Sequence, residues 1–448
     1  MKSHTQLPVI LFSCLLAIST VCWADINQAN KAYKQQQFSQ AFSSYQDLAQ
    51  LGNQQAIRRL THMHINGEGT QKDLIKAYAW STLIKDTSGK TTLTERITKD
   101  LTTEDFSQAQ LLAEQFESMY GHAAIENKYT PITLESDKTQ NNNDYELNII
   151  QRTPPQITRA QYRKKLQGWS TVSFYIHPDG STRDIEVISS MPVGEFDQST
   201  IDAVAKFKFD VQFKDGIEPY PIQRIQTITF EMGKTDQSEM TQLFQQHLEE
   251  LKQTAHAGHP EAQYYYALAA SSNSVISNYV PMTDISSNDW LFKAAQNGHL
   301  DAQYQLGINI MYGREGCGID KQKGFNWLVQ AADNGHPKSA RQAYKLASKQ
   351  SFENHSDTAP ELWLKQAAEA GDPESLLAYA NHLLFKEQSQ KAINAAKDYL
   401  DNYLEQRDKS VKYHQTMAQL YTLENQPKKA KKEMKRANKL AKKLGWEI

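Results

Sequence analysis

The chain has 448 residues, with 49 Lys and Arg against 51 Asp and Glu, and is 39% hydrophobic and 22% charged. That near-neutral, moderately apolar balance excludes a polytopic membrane protein, a collagen-like chain and a protein that attracts nucleic acid by global charge. At roughly 100–200 residues per folding unit, the length predicts two to four units with enough material for buried cores.

The chain opens with Lys2, an apolar run from Leu7 to Val21, and Cys22-Trp23-Ala24 ahead of Asp25. The run is as long as a signal-peptide core and short for a spanning helix, and the small residues Cys22 and Ala24 suit cleavage after Ala24. Residues 1–24 are therefore expected to be a signal peptide, the alternative being an uncleaved inner-membrane anchor. Cys14 and Cys22 fall inside this leader and leave only Cys317, so no intramolecular disulfide is expected. Cys317 lies between Gly316 and Gly318, near Glu315 and Asp320, and reads as a loop cysteine of no special reactivity.

Residues 25–134 read as helical hairpins. Ala32-Tyr33, Phe38, Ala41, Tyr45 and Gly52 mark a degenerate first one. In the second, Ala56 to Leu60 leads through a glycine-rich turn, Asn66-Gly67-Glu68-Gly69, to Lys76-Ala77-Tyr78-Ala79-Trp80. Residues 135–152, which include the polar run Glu135–Asp144, have linker composition. A different unit occupies 153–232. Val172, Phe174 and Ile176 alternate on one strand, His177-Pro178-Asp179-Gly180 supplies a turn, and Thr182–Ile188 returns as a second strand. Phe196, Thr200, Ala203 and Phe207 then share a helix face, and Ile222–Met232 forms a last strand, giving the order β-β-α-β.

Residues 240–384 carry the clearest repeat. Trp290, Ala294, Ala295 and Gly298 recur as Trp327, Ala331, Ala332 and Gly335, and again as Trp363, Ala367, Ala368 and Gly371; a decayed copy ends at Gly258. The period of about 36 to 40 residues is that of stacked helical hairpins. Trp, Ala and Ala at i, i+4 and i+5 lie on one stripe, the glycine suits a left-handed helix end, and Pro337 or Pro373 starts the next helix. Residues 385–448 continue as plainer hairpins. They end in a helix whose Ala430, Met434, Ala437, Leu440 and Leu444 form an apolar stripe, while Lys428–Lys443 is overwhelmingly basic.

The run from Ala302 through Leu306-Gly307, Tyr312-Gly313, Lys323-Gly324 and Trp327 to Gly335 resembles the Sel1-like repeat, and the flanking hairpins resemble tetratricopeptide repeats. Pro154-Pro155, Gly168-Trp169, Pro178-Asp179-Gly180, Phe196-Asp197, Phe207-Lys208-Phe209, Asp215-Gly216 and Ile228-Thr229-Phe230 resemble, in order, the carboxyl-terminal domain of the TonB family. The sequence departs from that family at Ile157-Thr158, where Tyr-Pro is common. The expected fold is therefore α+β and multidomain: a mostly α helical-hairpin solenoid with an inserted small β-β-α-β domain.

The TonB resemblance implies a periplasmic protein whose last strand pairs with a peptide of an envelope partner, such as an outer-membrane receptor, by strand addition. The matching positions are Gln223, Arg224, Ile225, Gln226, Thr227, Ile228 and Thr229. The long Pro-rich spacer of the energy-transducing members has no counterpart in the sequence, so a non-enzymatic binding adaptor is preferred to a transport motor component.

A cell-envelope enzyme or cell-wall binding protein is the third reading, and no catalytic constellation supports it. His62 and His64 would point about 200° apart on a helix and cannot chelate together. His259, His299 and His336 follow cap glycines and read as structural, and Gly67-Glu68-Gly69 lacks the lysine and preceding strand of a phosphate loop. No catalytic residue, cofactor, metal or nucleic-acid partner is therefore expected. The basic final helix reads as a solvated cap of the solenoid, with peripheral contact to an anionic membrane surface through Lys428–Lys443 as its functional alternative.

Overall fold

Alanine, tryptophan and glycine spacing builds the helical part. The computed structural model describes residues 25–85, 92–133, 145–164, 166, 168–192, 194–213, 222–230, 237–271, 286–348, 352–354, 356–406 and 409–444. The expected leader, residues 1–24, and most of the expected linker lie outside the described residues. Seven helices come first: α1 (Ile26–Lys34), α2 (Phe38–Gln50), α3 (Gln54–Asn66), α4 (Leu74–Thr82), α5 (Leu93–Thr98), α6 (Thr103–Tyr120) and α7 (His122–Lys128). The sheet unit follows as β1 (Tyr145–Gln151), α8 (Arg159–Arg163), β2 (Gly168–Ile176), β3 (Thr182–Met191), α9 (Asp197–Val204), β4 (Lys208–Phe213) and β5 (Ile222–Phe230). Eleven more helices complete the described chain: α10 (Gln237–His256), α11 (Pro260–Ala269), α12 (Ser287–Gln296), α13 (Leu300–Tyr312), α14 (Lys321–Asp333), α15 (Pro337–Ala347), α16 (Pro360–Glu369), α17 (Pro373–His382), α18 (Gln390–Gln406), α19 (Val411–Leu423) and α20 (Pro427–Leu444). A π-helical turn over Leu383–Glu387 extends α17.

Each repeat junction follows one physical scheme. The three repeat tryptophans and their paired alanines are buried. Gly258, Gly298, Gly335 and Gly371 all take φ between 82° and 91°, the left-handed conformation that a side chain disfavours. The residue after the glycine then caps the next helix: His299 accepts from Ala302 N, His336 from Ser339 N and Asp372 from Ser375 N. Where α13 crosses α14, a Cβ at Gly324 would stand 2.7 Å from the carbonyl oxygen of Gly307, so both glycines of the repeat motif serve close backbone approach.

The amino-terminal hairpins do not stand apart from the later ones. Trp327 Nε1 donates to the Tyr129 carbonyl at 2.9 Å, Asn326 Nδ2 to Lys128 O at 3.0 Å and Lys323 Nζ to Thr130 O at 3.0 Å. Gly318 N donates to Ile132 O, and Thr133 bridges Cys317. A second set joins α1 and α3 to the end of α12. Ile26 N donates to Asn297 O, Asn53 Nδ2 to Asn297 Oδ1 and Gln296 Nε2 to Leu51 O. Leu51 accordingly belongs to the same buried cluster as Trp290, Leu306 and Trp327. The sheet unit is thus inserted between two parts of one solenoid whose seam closes behind it.

In the sheet unit, β2 is central and antiparallel to both neighbours in the order β3-β2-β5, while β1 and β4 form a separate antiparallel ribbon. Strand β1 lies within the segment expected to be a polar linker; Leu147 and Tyr145 give it an apolar side that packs on the domain core. Val172, Phe174, Ile176, Phe196, Ala203, Phe207, Ile222, Ile228 and Phe230 form that core, as the alternation predicts. Phe196 and Phe230 stack with ring centroids 4.2 Å apart. At the departure from the family pattern, Thr158 closes a capping box with Gln161 and starts α8. Trp169, on the opposite face of β2, is buried in the helical cluster that contains Leu248 and Trp290, which seats the sheet on the solenoid.

Candidate peptide-binding edge

All seven residues marked by the sequence fall on β5, the outer strand of its sheet. The register against β2 is continuous from Gly168 opposite Phe230 to Ile176 opposite Ile222. Among the described elements, β2 is the one that packs extensively along β5. Arg224, Gln226 and Ile228 share the core face with their partners Phe174, Val172 and Ser170. Ile228 is buried; Arg224, further along, stays exposed with its guanidinium 5.9 Å above the Tyr145 ring of β1.

Thr227 and Thr229 occupy the other face. Thr227 lies opposite Thr171 with the two hydroxyls 2.8 Å apart, the close approach typical of a non-hydrogen-bonded pair. In such a pair the main-chain groups point away from the partner strand, and the Gln226 side chain donates to the Thr227 carbonyl at 2.8 Å. By alternation, the main-chain groups of residues 223, 225, 227 and 229 line the outer edge.

Two features beside this edge have no sequence signal. Burial pulls the pKa of Arg314, just past the end of α13, below the ordinary guanidinium value, and the positive charge of Arg224 on β5 lowers it further. The Tyr145 ring comes from a segment whose composition reads as linker. Both contacts join residues far apart in sequence, which no local pattern encodes.

The remaining candidates resolve into structural roles. His64 is buried with its ring 5.2 Å from Phe42, and burial lowers its pKa, while His62 is exposed on the other side of α3. His299 stacks on Tyr264 with centroids 4.5 Å apart, and His336 Nε2 lies 3.3 Å from Asp301. Gly67-Glu68-Gly69 is a turn fastened by Tyr33 Oη donating to Glu68. Cys317 is buried at the solenoid seam, where burial pushes its pKa to about 12, so the thiol stays protonated. Among the described residues, no group of three or more His, Cys, Asp or Glu is placed to hold a metal ion, and no helix is long and apolar enough to cross a membrane.

Comparison with known proteins gives two family matches along the chain. Residues 158–232 match the family described as Gram-negative bacterial TonB protein C-terminal. Residues 54–83, 259–274, 300–336 and 362–372 match the Sel1 repeat. The chain combines a TonB-C-type domain with flanking Sel1 repeats. Both are interaction modules rather than catalytic ones, and the TonB-type domain marks a protein of the cell envelope. The TonB carboxyl-terminal domain of Pseudomonas aeruginosa is 27% identical, covers 22% of this chain and 95% of its own, and has a TM-score of 0.19. A Sel1 repeat protein from Oxalobacter formigenes is 19% identical over 47% of this chain and 59% of its own, with a TM-score of 0.33. Among curated proteins, chitin synthase regulator SKT5 of Malassezia restricta is 31% identical over 124 residues, which is 27% of this chain; the chain spans 9% of that relative's length.

Proposed function

We propose that this protein is a non-enzymatic adaptor of the periplasm, in which β5 takes up an extended peptide of an envelope partner while the Sel1-type solenoid holds the domain in place. The observation that carries this reading is the position of β5, outermost in a three-stranded sheet with β2 as its long neighbour. Strand addition supplies affinity through main-chain hydrogen bonds and leaves side chains on alternate faces to select the partner. Gln223, Arg224, Ile225, Gln226, Thr227, Ile228 and Thr229 are the binding positions in this reading. Exposed Arg224 adds a positive charge beside the peptide's path. Contact of the basic carboxyl-terminal helix with an anionic membrane surface would be electrostatic, because Ala437 and Ala441 of its apolar stripe are already buried.

In-cell photocrosslinking tests the proposal. A photoreactive residue at 224 or 226 should give one discrete adduct with an envelope protein, and mass spectrometry should place the captured segment in an extended stretch of that partner. The same group at exposed Leu362 on α16 should not give it. Equal capture from Leu362, or none from either strand position, would sink the reading.

A further inference from the structure

The carboxyl-terminal end of the solenoid holds a second candidate site, unrelated to β5. Helix α20 carries nine Lys and Arg and a single carboxylate, Glu433. That carboxylate is buried and already engaged: His414 Nδ1 lies 2.6 Å from one oxygen and Arg436 pairs with the other. Glu433 therefore offsets the charge of Arg436, and the helix as a whole stays strongly positive. Beside the pair opens a cleft of 710 Å³ lined by Lys409, His414, Arg436, Lys439, Leu440 and Lys442. Among these lining residues no carboxylate is present, and Lys409, Arg436, Lys439 and Lys442 border an open cleft whose wall is mostly apolar. The amino end of α19, with its partial positive charge, begins one residue after Ser410, next to Lys409. A cleft of several hundred Å³ fits a small organic ligand rather than a single ion.

The rest of the helix separates this site from a membrane-inserted amphipathic helix. Ala437 and Ala441 pack with Val411 of α19, so the centre of the apolar stripe is spent on the fold, while Met434 of that stripe stays exposed. The cationic face is left to act by charge and hydrogen bonding. Arg436, Lys439 and Lys442 on α20, with Lys409 in the connection ahead of α19, match an anion with several oxygens pointing in different directions.

We propose that this cleft binds a multivalent phosphate-class anion, with Lys409, Arg436, Lys439 and Lys442 as its ligands. Tripolyphosphate titrated into the full chain should bind with one-to-one saturation. K439Q/K442Q should weaken it at least tenfold. K428Q/K431Q removes the same charge from exposed positions of α20 outside the cleft and should weaken it less than twofold. Equal loss in both pairs would show a plain polycation and overturn the site, as would non-saturating binding; unchanged thermal unfolding in each variant excludes misfolding as the cause. Phosphatidylglycerol vesicles identify the source. Co-sedimentation lost only with K439Q/K442Q, and competed by tripolyphosphate, assigns the phosphate to a lipid headgroup, whereas vesicles that fail to bind assign it to a soluble ligand.

Discussion

The crossing of α13 on α14 and the outer edge of β5 treat main-chain groups in opposite ways. At the crossing, Gly307 and Gly324 let two backbones meet, and cap residues such as His299 and His336 satisfy the ends of the helices beside them. On β5 one side is paired residue by residue with β2 while the other terminates the sheet. A solenoid junction is thus complete without a partner, whereas a sheet edge is a template for one. The difference separates stability from binding: changes in the repeats should cost folding free energy, and changes on the strand edge should cost recognition.

Trp327→Ala should break the comparison most severely. The indole is fully buried and its Nε1 holds the Tyr129 carbonyl across the seam, so urea denaturation should show a loss of about 3–5 kcal/mol. A loss below about 1 kcal/mol would mean that the seam is not part of the cooperative unit. Gly324→Val should follow, at about 1–3 kcal/mol, because the new side chain meets the Gly307 carbonyl.

Acid should reveal a smaller effect at the capping histidines. His299 caps α13 by accepting through Nδ1, which requires the neutral ring, and burial holds its pKa below the ordinary value. The unfolded chain takes up this proton first, so the contribution is complete above about pH 6.5 and declines as pH falls below it. His299→Asn keeps a capping oxygen without a titrating ring and should flatten the profile between pH 7 and 5; an unchanged slope would remove the cap from the account.

Ile225→Pro should change stability least and sharpen the comparison most. Its N–H belongs to the outer-edge set, so proline there removes no bond to β2, and the unfolding midpoint should stay in place while crosslinking from position 224 is lost. Gln226→Pro, on the paired parity, should instead destabilise the domain. If both variants bind the partner normally, strand addition at β5 is excluded.

Much of this was legible from residue spacing. The Trp-Ala-Ala-Gly recurrence specified the helix faces and caps because those depend on neighbours three to five positions away. Val172, Phe174 and Ile176 marked the core face of β2 for the same local reason. The seam was not legible: nothing about Tyr129 or Leu51 says that their partners are Trp327 and Gln296. Strand β1 was hidden by the polar run before it, and its pairing with β4 reaches across α8, β2, β3 and α9. Cys317 looked like a loop residue beside two glycines; its burial comes from membership of the cluster that holds Trp290 and Trp327 and from the bridge to Thr133, neither of which its neighbours in sequence encode.

The seam also sets a timetable for folding. Trp327 and Tyr129 lie 198 residues apart, so the first hairpins emerge, from the ribosome or from an export channel fed at the rate of synthesis, long before the surface that covers them. At ~5–20 residues per second, that interval is about 10 to 40 seconds. During it Leu51 and Tyr129 lack their final cover, and the loop that must close is among the longest the chain offers. Synthesis order therefore makes the amino-terminal hairpins the portion most dependent on chaperone protection, and makes closure behind the inserted domain a late step in reaching the native state.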